Sequence, residues 1–189
     1  MKALILGGTF NPVHFGHLFL AEEARSRFGY DAVILVPAFH PVHKDSAPIL
    51  APSHRLEMLQ RAVRGRARFV VESCEIERGG PSYSIETVRE LVPRHRIVGK
   101  PGFLIGDDLA AGFHTWKEAE ALSREADLIV ARRTPGAAVD FPYPHRALDN
   151  FLLPLSSSDI RRRSAAGLTI RFLLPDEVAD YIEANALYG

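Results

Sequence analysis

Four apolar residues, Ala3 to Leu6, run directly into a pair of glycines, Gly7 and Gly8, and then into a helical pattern that begins near Gly16. No other stretch restricts the chain so tightly. The apolar run reads as a buried strand. The glycines remove side chains where that strand ends, so a ligand can lie against bare backbone. His14 and His17 fall three residues apart, on one face of the first helical turn. A helix start collects free backbone N–H groups and the positive end of the helix dipole, which suits an anion. Imidazoles there can donate to phosphate oxygens and carry charge when protonated. The pattern is neither the dinucleotide Gly-x-Gly-x-x-Gly nor a P-loop, since no Gly-Lys-Ser/Thr follows. Taken alone, it also describes a glycine-rich turn whose histidines only cap and pack; the strand-to-helix context favours the anion site.

The same alternation continues along the chain. Apolar runs at Ala32 to Val36, Phe69 to Cys74, Gly102 to Ile105, Leu128 to Ala131 and Phe151 to Leu153 predict five further strands. Helices are expected from Gly16 to Phe28, stopped by Gly29; from Ser53 to Arg64; from Ile85 to Val92, capped by Ser84; and from Lys117 to Arg124. Two more follow, from Asp159 to Ala166 and from Pro175 onward. In the first helix Leu18, Ala21, Ala24 and Phe28 should face inward, with Glu22, Glu23, Arg25 and Arg27 solvated. Alternating strands and helices imply an α/β fold with a Rossmann-like, doubly wound parallel sheet. One domain over residues 1–189, with a small C-terminal helical part, is expected. Ligands then bind beyond the carboxyl ends of the strands, where Gly7, Pro37, Gly106, Arg132 and Ser156 fall.

Composition narrows the function. The 23 Lys and Arg equal the 23 Asp and Glu, so long-range attraction to nucleic acid or membrane is not expected, and any positive field must be local. A small phosphate ligand fits that better than a polymer. The single cysteine, Cys74, excludes an intrachain disulfide and reads as a buried small hydrophobe. No apolar run approaches a membrane span of about 18 residues, and no basic-then-apolar leader opens the chain. A cytoplasmic protein is expected, and a homo-oligomer remains open.

A second anion site is expected at Ser156-Ser157-Ser158, where three hydroxyls open a helix and Arg161 adds a forked donor. Alone, this run is also an ordinary serine cap before solvated arginines. Lys44, in the long loop from Pro37 to Pro52, can follow a phosphate as it moves or can be a surface lysine. His43 in the same loop either braces it or touches ligand. The stretches Ser82 to Thr87 and His114 to Lys117 can choose a substrate. Trp116, the only tryptophan, either stacks on an aromatic ring or belongs to the core, and the helix start at Ser84-Ile85 can receive a carboxylate.

The run Gly7 to Leu18 resembles the signature of the nucleotidyltransferase superfamily, and its longer form is similar to the bacterial nicotinate-nucleotide adenylyltransferases. The likeness extends from Leu6 to Leu173-Leu174-Pro175 and Tyr181-Ile182. It implies ATP held by Gly8, Thr9, Phe10, His14, His17, Gly106, Asp107, Ser156, Ser158 and Arg161. Nicotinate mononucleotide would meet Asn11, Lys44, Ser84, Ile85, Asp107, Trp116 and Lys117, while catalysis would rest on His14, His17, Lys44 and Arg161. Asp107 resembles the aspartate of the family's Gly-x-Asp, which reaches ribose hydroxyls. Departures are small: Leu155 and Ser158 in the serine motif, Val42 before His43-Lys44, and Ser84 where Thr is common. Asn11 stands where many members carry Asp, so no proton transfer is assigned to it. The implied reaction is adenylyl transfer with Mg²⁺ carried on the phosphates. Its alternatives are a nicotinamide mononucleotide or phosphopantetheine acceptor, or a nucleotide-binding sensor without turnover.

Overall fold

The computed structural model describes residues 1–41, 49–133 and 141–189. The chain opens with β1 (Ala3–Gly8), α1 (Phe15–Phe28), β2 (Ala32–Pro37), a two-residue β3 (His40–Pro41), α2 (Pro52–Ala62) and β4 (Phe69–Val71). It continues through α3 (Cys74–Arg78), β5 (Pro81–Ser82), α4 (Ser84–Arg94), β6 (Gly102–Gly106), α5 (Asp107–Ala110), a 3₁₀ turn at Phe113–Thr115 and α6 (Ala119–Glu125). It closes with β7 (Asp127–Ala131), β8 (His145–Leu148), α7 (Ser157–Ala165) and α8 (Asp176–Ala184). Among the described residues no helix is long and apolar enough to cross a membrane.

Six strands form one sheet in the order β4-β2-β1-β6-β7-β8, every pairing parallel. The order reverses between β1 and β6, which opens a crevice at their carboxyl ends. Gly7 and Gly8 end one of those strands and Gly106 the other.

Successive strand residues point to opposite faces, and the core divides accordingly. Leu4, Val33, Leu35 and Ile129 join one buried cluster, covered by Leu18, Ala21 and Ala24 of α1, Met58 and Leu59 of α2, and Val178 and Ile182 of α8. Ala3, Ile5, Ile34, Val36, Leu128 and Val130 join the other, covered by Ile85, Val88 and Leu91 of α4 and Leu122 of α6. Helices on both faces make the central strands apolar at nearly every position.

Several expected boundaries shift, each for a local reason. The strand expected through Cys74 stops at Val71, and Cys74 instead opens α3, its side chain buried in the second cluster. Ser53 is not a cap; Pro52 takes the first helical position of α2 behind Ala51, the place where a missing N–H costs least. Ser84 is likewise the first helical residue of α4 rather than its cap, and Pro175 caps α8 rather than opening it. Arg25 is not solvated: it is buried, with its guanidinium forked onto Glu22 and donating to the Tyr30 carbonyl at 3.0 Å.

The strand expected at Phe151 to Leu153 is absent, and the edge strand is β8 instead. Its residues His145 and Arg146 are exposed, so no apolar signal marks it. After β8, Asn150 ends the ladder with its side chain: Oδ1 accepts from the Arg132 backbone N–H at 2.9 Å and Nδ2 donates to the Arg132 carbonyl at 3.0 Å. Phe151 then lies 79% exposed.

Candidate active site

The turn after β1 is built around one imidazole. His14 is the extended cap of α1, only 2% exposed, and its ring centroid lies 3.8 Å from that of His17. A Cβ on Gly16 would stand 2.9 Å from two atoms of the His14 ring, so the glycine between the histidines leaves room for that ring. The His14 backbone N–H donates to His17 Nδ1 at 3.3 Å. A neutral His17 with Nδ1 as acceptor carries its proton on Nε2, the tautomer that can donate to a ligand. The Phe10 ring meets His17 edge-on at 5.1 Å and also fills the space beside Gly8. A Cβ on Gly7 would meet nothing within 4 Å, because that position opens onto the cleft.

Two clefts meet here. Both are lined by His17, Leu20, Asp108 and Arg133. The first has about 1070 Å³ of empty space, including the part open to solvent, and extends past Gly7, Gly8 and Thr9 to Glu75, Ser82, Ser84 and Trp116. The second, about 930 Å³ on the same measure, extends past His14 and Gly16 to Arg132, Asn150, Ser156 and Asp159. The junction thus stands at the sheet's point of reversal, with His17 facing both sides.

The start of α7 is stitched to the turn after β1. Arg161 Nη1 donates to the Asn11 carbonyl at 2.8 Å and Nη2 to Ser158 Oγ at 3.2 Å, while Ser157 Oγ donates to the Pro12 carbonyl at 2.9 Å. Ser156 caps the helix by accepting the Asp159 N–H at 3.1 Å. The two expected anion sites therefore share one rim. Within that rim the roles divide: Ser156 lines the second cleft, but Ser158 and Arg161 line neither and bond within the rim. Asp159 also enters the second cleft, its carboxyl held below the usual range by the Ser156 hydroxyl and Arg162.

At the end of β6 the structure separates two neighbouring carboxylates. Asp107 accepts the Arg133 backbone N–H at 3.0 Å and lines neither cleft, whereas Asp108, paired with the Arg133 guanidinium at 2.9 Å, lines both. The spacing Gly-x-Asp counted from Gly106 falls on Asp108. A Cβ on Gly106 would overlap the Asp108 carboxylate as it is placed, so a side chain there would have to displace it.

The first cleft has an acidic wall that the sequence reading missed. Glu75 is buried, accepts from Thr87 Oγ1 at 2.5 Å, and lines the cleft beside Ser82 and Ser84. Burial pushes its carboxyl above the usual carboxylate range, against the hydroxyls of Ser82 and Thr87. Trp116 lines the same cleft and packs on the second core cluster, its ring 6.4 Å from that of Phe103 and nearly perpendicular. Ile85 is fully buried and lines neither cleft. Lys117 is not part of the lining; it pairs with Glu86 at 2.6 Å and lies over the Tyr83 ring at 4.5 Å. Asn11 also turns inward, its Oδ1 accepting from Tyr188 at 2.8 Å and from Leu50 N at 3.4 Å. His43 and Lys44 lie outside the described residues.

Arg55 is the other residue the sequence did not reveal. It is fully buried and donates to the carbonyls of Leu50, Thr9 and Phe39 at 3.0, 2.9 and 3.2 Å, joining three loops behind the first cleft. Burial lowers its pKa, yet a guanidinium keeps its charge at any working pH. Burial pushes the Cys74 thiol up to about 12, so it is no nucleophile.

The cytidylyltransferase-like family model matches residues 5–163. A protein from Exiguobacterium sibiricum, described as "Probable nicotinate-nucleotide adenylyltransferase", is 40% identical over 194 residues that span both chains completely. A protein of the same description from Borrelia garinii is 36% identical over 188 residues, covering 100% of this chain and 95% of that one. Among solved structures, the Plasmodium falciparum nicotinic acid mononucleotide adenylyltransferase complexed with NaAD superposes with a TM-score of 0.78 at 18% identity, covering 100% of this chain and 98% of that one. The last likeness speaks for the fold; the matched motifs, the strand-end clefts and the full-length relatives together place this chain in the cytidylyltransferase-like family, among the nicotinate-nucleotide adenylyltransferases.

Proposed function

We propose that the chain catalyses adenylyl transfer from ATP to nicotinate mononucleotide, releasing pyrophosphate and forming nicotinate adenine dinucleotide, a step of NAD biosynthesis. The observation that carries this reading is the junction of two clefts at His17, beside a glycine strand end and a second helix start tied to the same turn. Two nucleotides laid in the two clefts bring their phosphates together at that junction. The attacking 5′-phosphate is already largely ionised at neutral pH, with a second pKa of about 6, so no general base is needed. The protein supplies position and charge compensation instead. His17 offers Nε2–H to the phosphates, His14 backs its ring, and Asp108 accepts from ribose hydroxyls. Arg161 holds the rim, and Lys44 is assigned to the attacking phosphate on the strength of the sequence resemblance alone.

Enzymes of this class generally use a divalent metal with the triphosphate. Among the described residues no group of three or more His, Cys, Asp or Glu could hold a metal ion, and Asp108 is paired with Arg133. The ion is read as entering on ATP, held through the phosphate oxygens. Mg²⁺ bound this way would offset charge on the phosphate oxygens.

The test is pyrophosphate release from ATP with nicotinate mononucleotide, nicotinamide mononucleotide and phosphopantetheine as parallel acceptors. The acid mononucleotide should give the largest kcat/KM. A larger value for either other acceptor would reassign the substrate, and no release with any of them would remove the enzymatic reading.

A further inference from the structure

The residues after α8 fold back onto the domain. After α8, Ala186 and Tyr188 take left-handed backbone angles, with φ of 48° and 67°. Side chains rarely adopt that conformation, and it persists where the surroundings hold it. The surroundings here are specific. Ala186 N–H donates to the Glu183 carbonyl at 3.2 Å, Leu187 N–H to that of Ile182 at 3.0 Å, and Ser164 Oγ of α7 to the Leu187 carbonyl at 3.4 Å. The bend carries the Tyr188 ring onto the first core cluster and its hydroxyl to Asn11 Oδ1 at 2.8 Å, across 177 residues of sequence.

Asn11 is one of three residues of the turn after β1 held from outside, beside Thr9, which accepts from Arg55, and Pro12, which accepts from Ser157. The Asn11 side-chain oxygen accepts from Tyr188, and its backbone oxygen accepts from Arg161. The Leu50 backbone N–H, which can only donate, also reaches Oδ1 at 3.4 Å, and this sets the amide orientation and leaves Tyr188 as a donor. Rotation of the Asn11 side chain would cost the Tyr188 bond; a shift of its backbone would cost the Arg161 bond. Burial pushes the phenol up, although the guanidiniums of Arg161 and Arg55 pull the other way. The hydroxyl therefore remains a donor.

From this geometry we propose that Tyr188 is a positioning residue for adenylyl transfer: from beyond α8 it holds Asn11, and through Asn11 it sets the turn after β1, with the rim that Arg161 ties to it, relative to His14 and His17. The proposal rests on the adenylyl-transfer reading above. Tyr188 touches no reacting atom; it acts by fixing a rim that otherwise could move relative to His14 and His17.

The experiment compares Tyr188→Phe, Asn11→Ala, the double variant and Leu187→Ala with the full-length wild type by steady-state pyrophosphate release and thermal melting. Tyr188→Phe keeps the ring and removes one hydroxyl. It should lower kcat by about fivefold to tenfold, the range of one lost hydrogen bond, with KM for the mononucleotide unchanged and the melting temperature near that of wild type. In the Asn11→Ala background the same substitution should have no further effect on kcat, because coupled residues are not additive. Leu187→Ala, which trims the tail without touching Asn11, should lower the melting temperature and leave kcat alone. Wild-type kcat and KM in Tyr188→Phe, a kcat loss matched by Leu187→Ala, or additive losses in the double variant would each overturn the positioning role. A wild type that releases no pyrophosphate would instead overturn the reading beneath it.

Discussion

Gly16→Ala is the sharpest test of the turn after β1, because its steric and energetic effects can be separated. The added Cβ would lie 2.9 Å from His14 Cε1 and Nδ1, where ordinary contact begins at 3.4 Å, so the ring must retreat by about half an ångström. His14 is only 2% exposed and already stacks at 3.8 Å on His17, so the displacement passes to the residue that lines both clefts. Helix propensity works in the opposite direction, since Ala is favoured over Gly in a helix by about 1 kcal/mol. Overpacking costs about 1–3 kcal/mol, so stability should fall by no more than about 2 kcal/mol, or about 4–8 °C at this chain length. Activity should respond far more. Misplacing a catalytic group by about 1 Å can cost on the order of 100-fold, and about half that shift leads us to expect a loss of about tenfold in kcat/KM. Steady-state pyrophosphate release and calorimetric melting provide the two readouts. Gly29→Ala supplies the control: Gly29 closes α1 at φ 70°, away from the clefts, and its substitution should cost about 1 kcal/mol of stability with kcat/KM unchanged. If Gly16→Ala retains wild-type kcat/KM, the argument that Gly16 exists to seat His14 is wrong.

Three further outcomes follow from other parts of the site. His17→Ala should lower kcat by about 100-fold or more while moving the melting temperature by only a few degrees; wild-type turnover in that variant would remove His17 from the mechanism. Arg55→Met leaves one buried and two partly buried carbonyls without this donor, and should cost about 2–4 kcal/mol by chemical denaturation; a cost under about 0.5 kcal/mol would show that the guanidinium does not join those loops. Glu75 has a folded pKa above its unfolded value near 4.5, so the folded protein binds more protons in the window between them. Its contribution to stability is complete below the unfolded pKa and is lost as pH rises through the raised folded one. Glu75→Gln should flatten that decline in denaturation midpoints measured upward from about pH 4.5, and an unchanged slope would mean that Glu75 ionises in the fold as freely as in the unfolded chain.

Much of the architecture could be read from local pattern because its elements carry strong local signals. β2 is apolar at every position, as a doubly covered strand must be, and Gly29 ends α1 in the left-handed conformation expected of it. Signals failed where a residue's role was set by distant partners. β8 has exposed His145 and Arg146 because it is an edge strand, while the apolar Phe151 to Leu153 is left outside because the Asn150 side chain has already closed the ladder. Asp108 stands at the Gly-x-Asp spacing from Gly106, and the fold adds that it lines both clefts. Glu75, Arg55 and Tyr188 were not within reach, since nothing near them in sequence states that the first two are buried and the third partly so, or what they touch.

The alternation of strands and helices, the glycine strand ends, the serine and histidine helix starts and the family to which they belong are legible along the chain, because each is a property of sequence neighbours. That the two clefts meet at His17, that Asp108 lines both while Asp107 lines neither, and that a tyrosine at residue 188 reaches an asparagine at residue 11 emerges from the folded arrangement. The physical reason is reach. Backbone preferences act over a few residues, whereas burial of a carboxyl, a guanidinium or a phenol depends on which surfaces the folded sheet brings together.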